Sequence, residues 1–75
     1  MSTDWKKYQE LPDKEKVEKI VGWLKSPRHT HEVGVLTRKL CKDDGVAAFR
    51  LYRTASLVFF TQCTVEIALQ KVDKA

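Results

Sequence analysis

The C-terminal segment 46–72 constrains the fold most, because it contains no Gly, Pro or Asn over 27 residues. The usual turn-forming residues are therefore missing from this whole stretch. Apolar and small side chains recur along it with alternating spacings of three and four residues, which is the a/d pattern of a helical seam. The seam consists of Ala48, Leu51, Ala55, Val58, Gln62, Val65, Leu69 and Val72. The pattern predicts one long C-terminal helix over about residues 44–72.

A helix of this length does not fit easily inside a single small domain. It would be roughly 40 Å long at 1.5 Å per residue, whereas a compact chain of this size has a radius of gyration of about 11 Å. Further apolar side chains also lie off the seam, and a helix that is apolar on most sides needs cover on most sides. We therefore expect the chain to associate with itself, as a homodimer. The predicted self-association residues are Leu51, Ala55, Val58, Gln62, Val65 and Leu69.

Residues 56–70 also allow a β-hairpin, which would complete a winged helix of the α+β class. Cys63, Val65, Ile67 and Leu69 alternate with less apolar residues, as in a half-buried strand. The turn of such a hairpin would fall at Thr61-Gln62. Neither residue type readily adopts the positive φ that a two-residue hairpin turn requires. The missing turn residues favour the helix over the hairpin.

The N-terminal half carries two amphipathic helix patterns. Val17, Ile20, Val21 and Leu24 repeat at helical spacing within residues 13–25, and a weaker stripe follows within 31–40. A chain of 75 residues forms one small domain. The sequence therefore predicts an all-α bundle of three to four helices, occupying 1–75 as a single domain.

Positive charge is concentrated at the N-terminal end. Residues 1–42 hold ten Lys and Arg against six Asp and Glu, whereas 43–75 hold four of each. A basic half favours an acidic partner, either a protein surface or nucleic acid. The predicted contact residues are Arg38, Lys39, Lys42, Arg50 and Arg53. We expect a small regulatory or adaptor protein that binds a protein partner through its basic half. The alternative is a winged-helix or helix-turn-helix DNA-binding transcriptional regulator.

The sequence offers little to support catalysis or metal binding. Gly22, Gly34 and Gly45 are isolated, so no glycine-rich phosphate loop is present. His29 and His31 lack the further donors at recognisable spacing that a zinc site needs. A chain this short is also expected to lack a ligand pocket of roughly 300 Å³ or more. We predict a protein that is not an enzyme and that uses no cofactor, metal or small-molecule substrate.

The longest unbroken apolar runs are four residues, 46–49 and 57–60, far short of the about twenty that a membrane span needs. The N-terminus has no apolar signal region, and two cysteines 22 residues apart do not form a disulfide framework. The expected location is intracellular and cytoplasmic, without membrane attachment.

Overall fold

The computed structural model of the protein describes residues 4–61 and 63–73. Within these residues the chain forms helices connected by short turns. In chain order they are α1 (Trp5–Gln9), α2 (Asp13–Lys25), α3 (Thr30–Leu40), α4 (Gly45–Thr61) and α5 (Val65–Asp73). The all-helical class predicted from the sequence is confirmed for the described part of the chain.

Helices α2, α3 and α4 build the core, and each contributes the stripe that its sequence predicts. Val17 and Ile20 of α2 are fully buried against Leu40 of α3 and Leu51 of α4. The bounds of α2 match the predicted 13–25, and α3 begins one residue before the predicted 31. The short helix α1 packs onto this core through Trp5, whose ring meets that of Trp23 edge-on at 6.3 Å between centroids.

The turn between α3 and α4 fixes how these two helices meet. Lys42 and Asp43 both adopt the left-handed region, with φ of 56° and 61°, and the Asp43 N–H donates to the Arg38 carbonyl at 2.8 Å. Asp44 then caps α4, because its Oδ1 accepts from the backbone N–H groups of Val46 and Ala47 at 3.1 and 3.2 Å. The turn therefore closes α3 and opens α4 within four residues.

The predicted single helix over 44–72 is wrong. Helix α4 ends at Thr61, and α5 begins at Val65 after the Thr64 hydroxyl accepts from the Ile67 N–H at 3.3 Å. The physical reason for the break is the burial of apolar surface. The molecule is only 35 Å along its longest axis, and a helix that turns back can bury its apolar side against its own chain. As a result, α5 packs on α4 and α2 and adds a helix beyond the predicted three to four.

The alternative hairpin over 56–70 is also wrong. Residues 56–61 and 65–70 are helical, and no strand occurs in the described ranges 4–61 and 63–73. The alternation of residues 63–69 does not decide burial in α5, where Ala68 is fully buried while Glu66 and Ile67 remain exposed.

Candidate docking surface

Helix α4 carries two apolar stripes on opposite sides. The inner stripe, Ala48, Leu51, Ala55 and Val58, belongs to the core. The outer stripe, Val46, Phe49, Arg53 and Phe60, also follows helical spacing, with steps of three, four and seven residues. Its members point to solvent, and Val46, Phe49 and Phe60 are 81%, 68% and 75% exposed. Exposed apolar side chains of this size on a single helix face are typical of an interaction surface.

An open groove lies beside the outer stripe, between α3 and α4. It has a volume of about 530 Å³, so the expectation that a chain this short lacks such a space is wrong. Small residues, Gly34, Gly45 and Ala48, are part of its wall. Its lining residues are Thr30, His31, Gly34, Val35, Thr37, Arg38, Gly45, Ala48, Phe49 and Tyr52.

The groove is apolar along its walls and basic at its edge. Phe49 belongs to both the outer stripe and the groove, and Val35 on α3 is 42% exposed across from it. Arg38 and His31 are exposed lining residues, whereas no Asp or Glu lines the groove. Arg53 is exposed one helical turn beyond Phe49 on the same side of α4. We call the groove together with the outer stripe the α3–α4 face.

The cations predicted as contact residues do not share one surface. Arg38 and Arg53 belong to the α3–α4 face. Lys39 points towards α1, because its ammonium lies 6.0 Å from the centre of the Trp5 ring. Arg50 points towards α2, where its Nη2 lies 3.4 Å from Asp13 Oδ2. Lys42 is exposed in the turn between α3 and α4.

The predicted self-association residues lie mostly inside this single chain. Leu51 is 2% exposed and Ala55 fully buried, and both belong to the core. Val58, Val65 and Leu69 are half-buried and pack against the same core. Gln62 lies outside the described residues. The structure thus brings the predicted seam together, but around α4 and α5 of one molecule.

The two cysteines lie in different parts of the fold. Cys41 is buried at the end of α3, where burial raises the pKa of its thiol. Cys63 is half-buried beyond α4, with its Sγ 3.0 Å from the Thr61 hydroxyl and 4.0 Å from Lys71 Nζ. Across the part of the chain that the structure describes, no group of three or more His, Cys, Asp or Glu side chains is arranged to hold a metal ion.

The predicted contact residues do not include the exposed apolar residues of this face, which are Val35, Val46, Phe49 and Phe60. The sequence holds a partial signal for those on α4, because Val46, Phe49 and Phe60 fall on one helical side, although Arg53 interrupts this stripe. Spacing alone does not show which of two stripes the core will use. Gly34 gives no signal of its own in the sequence, since its place in the groove depends on how α3 meets α4.

In the described ranges, every helix is too short or too polar to cross a bilayer. Compared with protein-family models, with curated proteins and with solved structures, the chain has no significant match.

Proposed function

We propose that this protein is a non-enzymatic binding module, with regulatory or adaptor character, that docks a protein partner on its α3–α4 face. One observation carries the proposal: Val46, Phe49 and Phe60 stay exposed on a helix whose opposite stripe already completes the core. Aromatic side chains, Phe included, and Arg are enriched in protein–protein interfaces relative to the rest of the surface. The partner site therefore shifts from the basic N-terminal half as a whole to the junction of α3 and α4.

A protein partner suits this face better than nucleic acid. Affinity for nucleic acid comes mainly from a dense array of cations against phosphates. The α3–α4 face instead sets two apolar side chains, Val46 and Phe49, beside Arg38 and Arg53, while Arg50 is turned towards Asp13. Apolar side chains gain little from a phosphate backbone and much from an apolar protein surface.

The polar groups of the groove are poorly suited to catalysis. Its lining offers the imidazole of His31, the guanidinium of Arg38, the phenol of Tyr52 and two threonine hydroxyls, without a carboxylate or a thiol. Nucleophilic and acid–base mechanisms need a reactive group held beside a second titratable group that tunes it. A binding role therefore accounts for the groove more simply than an active site does.

A cytoplasmic location is part of the proposal. Cys41 and Cys63 are both free thiols, and Cys41 is buried at the core without a disulfide. Small extracellular domains commonly use such cysteines as disulfide staples. Free thiols in a chain this short are consistent with a reducing compartment.

Site-specific photo-crosslinking in cells tests the proposed function. p-Benzoylphenylalanine in place of Phe49 should give a discrete protein adduct, because the aromatic side chain sits at the centre of the proposed surface. The matched control carries the same group in place of Glu18, an exposed residue of α2, and should give no such adduct. Adding Val35→Lys to the Phe49 probe should abolish the adduct. A nucleic-acid adduct, or equal labelling from both positions, would contradict the proposed function.

A second candidate function is self-association by exchange of α5 between two copies. The seam spacing continues across the break between α4 and α5, where the sequence holds no Gly, Pro or Asn. If Cys63 and Thr64 became helical, α4 and α5 could join into the long helix that the seam predicts. Leu69 and Val65 would then pack on the core of the second copy. This route gives a homodimer without exposing Leu51 or Ala55 to solvent.

The hydroxyl of Thr64 provides the test, because it caps α5 and favours the break. Thr64→Ala should raise the dimer fraction measured by light scattering, relative to the 8.7 kDa monomer. Thr64→Ser keeps the hydroxyl and should behave as the parent protein. A monomeric mass for the parent and both variants at all protein concentrations would rule out the exchange.

A further inference from the structure

We propose that the occupant of the α3–α4 groove is an acidic amphipathic helix from the partner protein. This inference rests on the proposed function and specifies the chemistry of its ligand. Helices commonly dock by laying an apolar stripe into a groove between two helices of the receptor. From Val46 to Phe60 the outer stripe spans 15 residues, or roughly 21 Å along α4 for 14 rises of 1.5 Å. A partner helix of about four turns matches that length.

The positive charge of the α3–α4 face favours an acidic helix as its occupant. The groove and the outer stripe together present Arg38, Arg53 and His31, and no carboxylate belongs to either set. Helix α4 carries no Asp or Glu anywhere from Gly45 to Thr61. Glu32, the acidic residue of α3, pairs with Arg28 at 3.6 Å instead of lining the groove. Carboxylates at the flanks of an apolar stripe would therefore meet cations on both helices, which favours association.

The same charges disfavour a second copy of this chain on the outer stripe. Parallel pairing of two outer stripes places Arg53 beside Arg53 of the other copy. Antiparallel pairing about the middle of the stripe, with Val46 opposite Phe60, again brings the two guanidinium groups together. Neither arrangement supplies a carboxylate, because the stripe holds none. Like charges that meet at an interface oppose binding.

Gly34 indicates that the occupant approaches α3 closely. Glycine inside a helix is destabilising relative to alanine, and Gly34 lies in the interior of α3. Its φ is not positive, and a Cβ built there meets no heavy atom within 4 Å. Neither the backbone nor the internal packing of the protein requires glycine at this position. The space above Gly34 is part of the groove, where the absence of a side chain lets a partner helix lie against the backbone.

Gly22 serves as a natural control for this argument. It lies in the interior of α2, and a Cβ built on it also meets no heavy atom within 4 Å. Unlike Gly34, it does not line the groove. A side chain added at either position has similar room in the free protein. Only the side chain at 34 would stand in the path of the proposed occupant.

Three synthetic helical peptides test the inference against the full-length protein. All are 18 residues long. The first carries leucine anchors on one face and glutamates on its flanks. The second has lysines in place of the glutamates, and the third keeps the acidic composition with scrambled anchors. Affinity is measured by fluorescence anisotropy, and the site is mapped by amide chemical shifts. The acidic peptide should bind at least about tenfold more tightly than the other two, with shifts confined to the α3–α4 face.

Matched variants connect the binding to the named residues. Arg38→Glu combined with Arg53→Glu should weaken the acidic peptide by about tenfold and strengthen the basic peptide, because the charge of the face is reversed. Gly34→Leu should weaken the acidic peptide by roughly an order of magnitude. Gly22→Leu should leave its affinity unchanged. Circular dichroism on each variant checks that the helices remain.

Several outcomes would overturn the inference. One is equal affinity for the acidic and basic peptides. Others are shifts outside the α3–α4 face, equal effects of the two glycine variants, or binding to anionic lipid vesicles in place of the acidic peptide. The proposed function has its own failure, the absence of a protein adduct at position 49. An adduct at 49 combined with preference for the basic peptide would therefore reject only the acidic ligand.

Discussion

The two sides of α4 have similar apolar patterns and opposite roles. Leu51 and Ala55 on the inner stripe are shielded from solvent, whereas Phe49 and Phe60 on the outer stripe are mostly exposed. Both stripes follow helical spacing along the same 17 residues. The difference comes from the surrounding helices. Helices α2, α3 and α5 cover the inner side, and Val46, Phe49 and Phe60 remain exposed on the other side.

A small chain can bury only a limited area of apolar surface. A chain of this size buries only roughly 60% of the surface that it exposes when unfolded. Two apolar stripes on one central helix therefore exceed what three short helices can enclose. Folding uses the stripe with small residues such as Ala48 and Ala55, which allow close helix packing. The stripe with the large aromatic side chains is left for a partner.

The largest predicted effect contrasts one residue from each stripe. Leu51→Ala removes a fully enclosed side chain and should lower the free energy of unfolding by about 2–5 kcal/mol. Phe49→Ala removes a larger side chain from the surface and should change it by no more than about 0.5 kcal/mol. Urea denaturation followed by circular dichroism measures both. Similar losses from the two variants would mean that the outer stripe is also part of the folded core.

Much of the fold could be predicted from the sequence because it follows local patterns. The helix over 13–25 has an apolar stripe and a first turn holding Asp13 and Glu15, and these features are local. The break after Thr61 could not be predicted in the same way. Cys63 and Thr64 do not forbid helix, so the break depends on how much apolar surface α5 buries by folding back.

The docking surface was predictable only in part for a related reason. Of the predicted contact residues, Arg38 and Arg53 belong to the α3–α4 face. Lys39 and Arg50 are predicted from positive charge in the same way, yet they point to α1 and α2. Which cation shares a surface with Phe49 depends on the rotation of each helix about its axis. That rotation is decided by the whole core.

The second predicted effect concerns Asp44, which caps the N-terminus of α4, the helix that carries both stripes. Asp44→Ala removes the oxygen that accepts from Val46 and Ala47, and should lower the free energy of unfolding by about 1 kcal/mol. Asp44→Asn keeps an accepting oxygen and should retain most of the stability. Thermal melts of both variants measure the difference. Equal melting temperatures for the alanine and asparagine variants would show that the cap does not hold the start of α4.

A smaller effect is the pH dependence of the free energy of unfolding that the buried Cys41 thiol causes. Burial raises the pKa of the Cys41 thiol above its ordinary value of 9.0. The unfolded chain therefore loses this proton first as pH rises. The stabilisation is fully present below pH 9.0, and the free energy of unfolding should fall above it. Urea denaturation between pH 8 and about 10 measures the decline, which should be shallower in Cys41→Ala.

The Cys41 measurement needs to stay below the range where Lys14 titrates. Hydrogen bonding to Glu66 raises the pKa of the Lys14 ammonium above 10.5, so its contribution is lost only at higher pH. Val33→Ala is the matched control, because it truncates a buried side chain of α3 that carries no titratable group and should leave the slope unchanged. An identical decline in Cys41→Ala would assign the pH dependence to another group.

The smallest effect concerns what holds α5 against the inner side of α4. Lys14 Nζ lies 2.5 Å from Glu66 Oε1, which joins α2 to α5 by an ion pair that is more than half exposed. Ion pairs in solvent contribute little, because water and salt screen them. Glu66→Gln should therefore shift the melting temperature no more than Glu10→Gln, a control at an exposed residue of the N-terminal region. The fully buried Ala68 and the half-buried Val65 and Leu69 instead account for the attachment of α5. A clear loss of helicity in Glu66→Gln alone would show that charge, and not apolar packing, keeps α5 on the inner stripe.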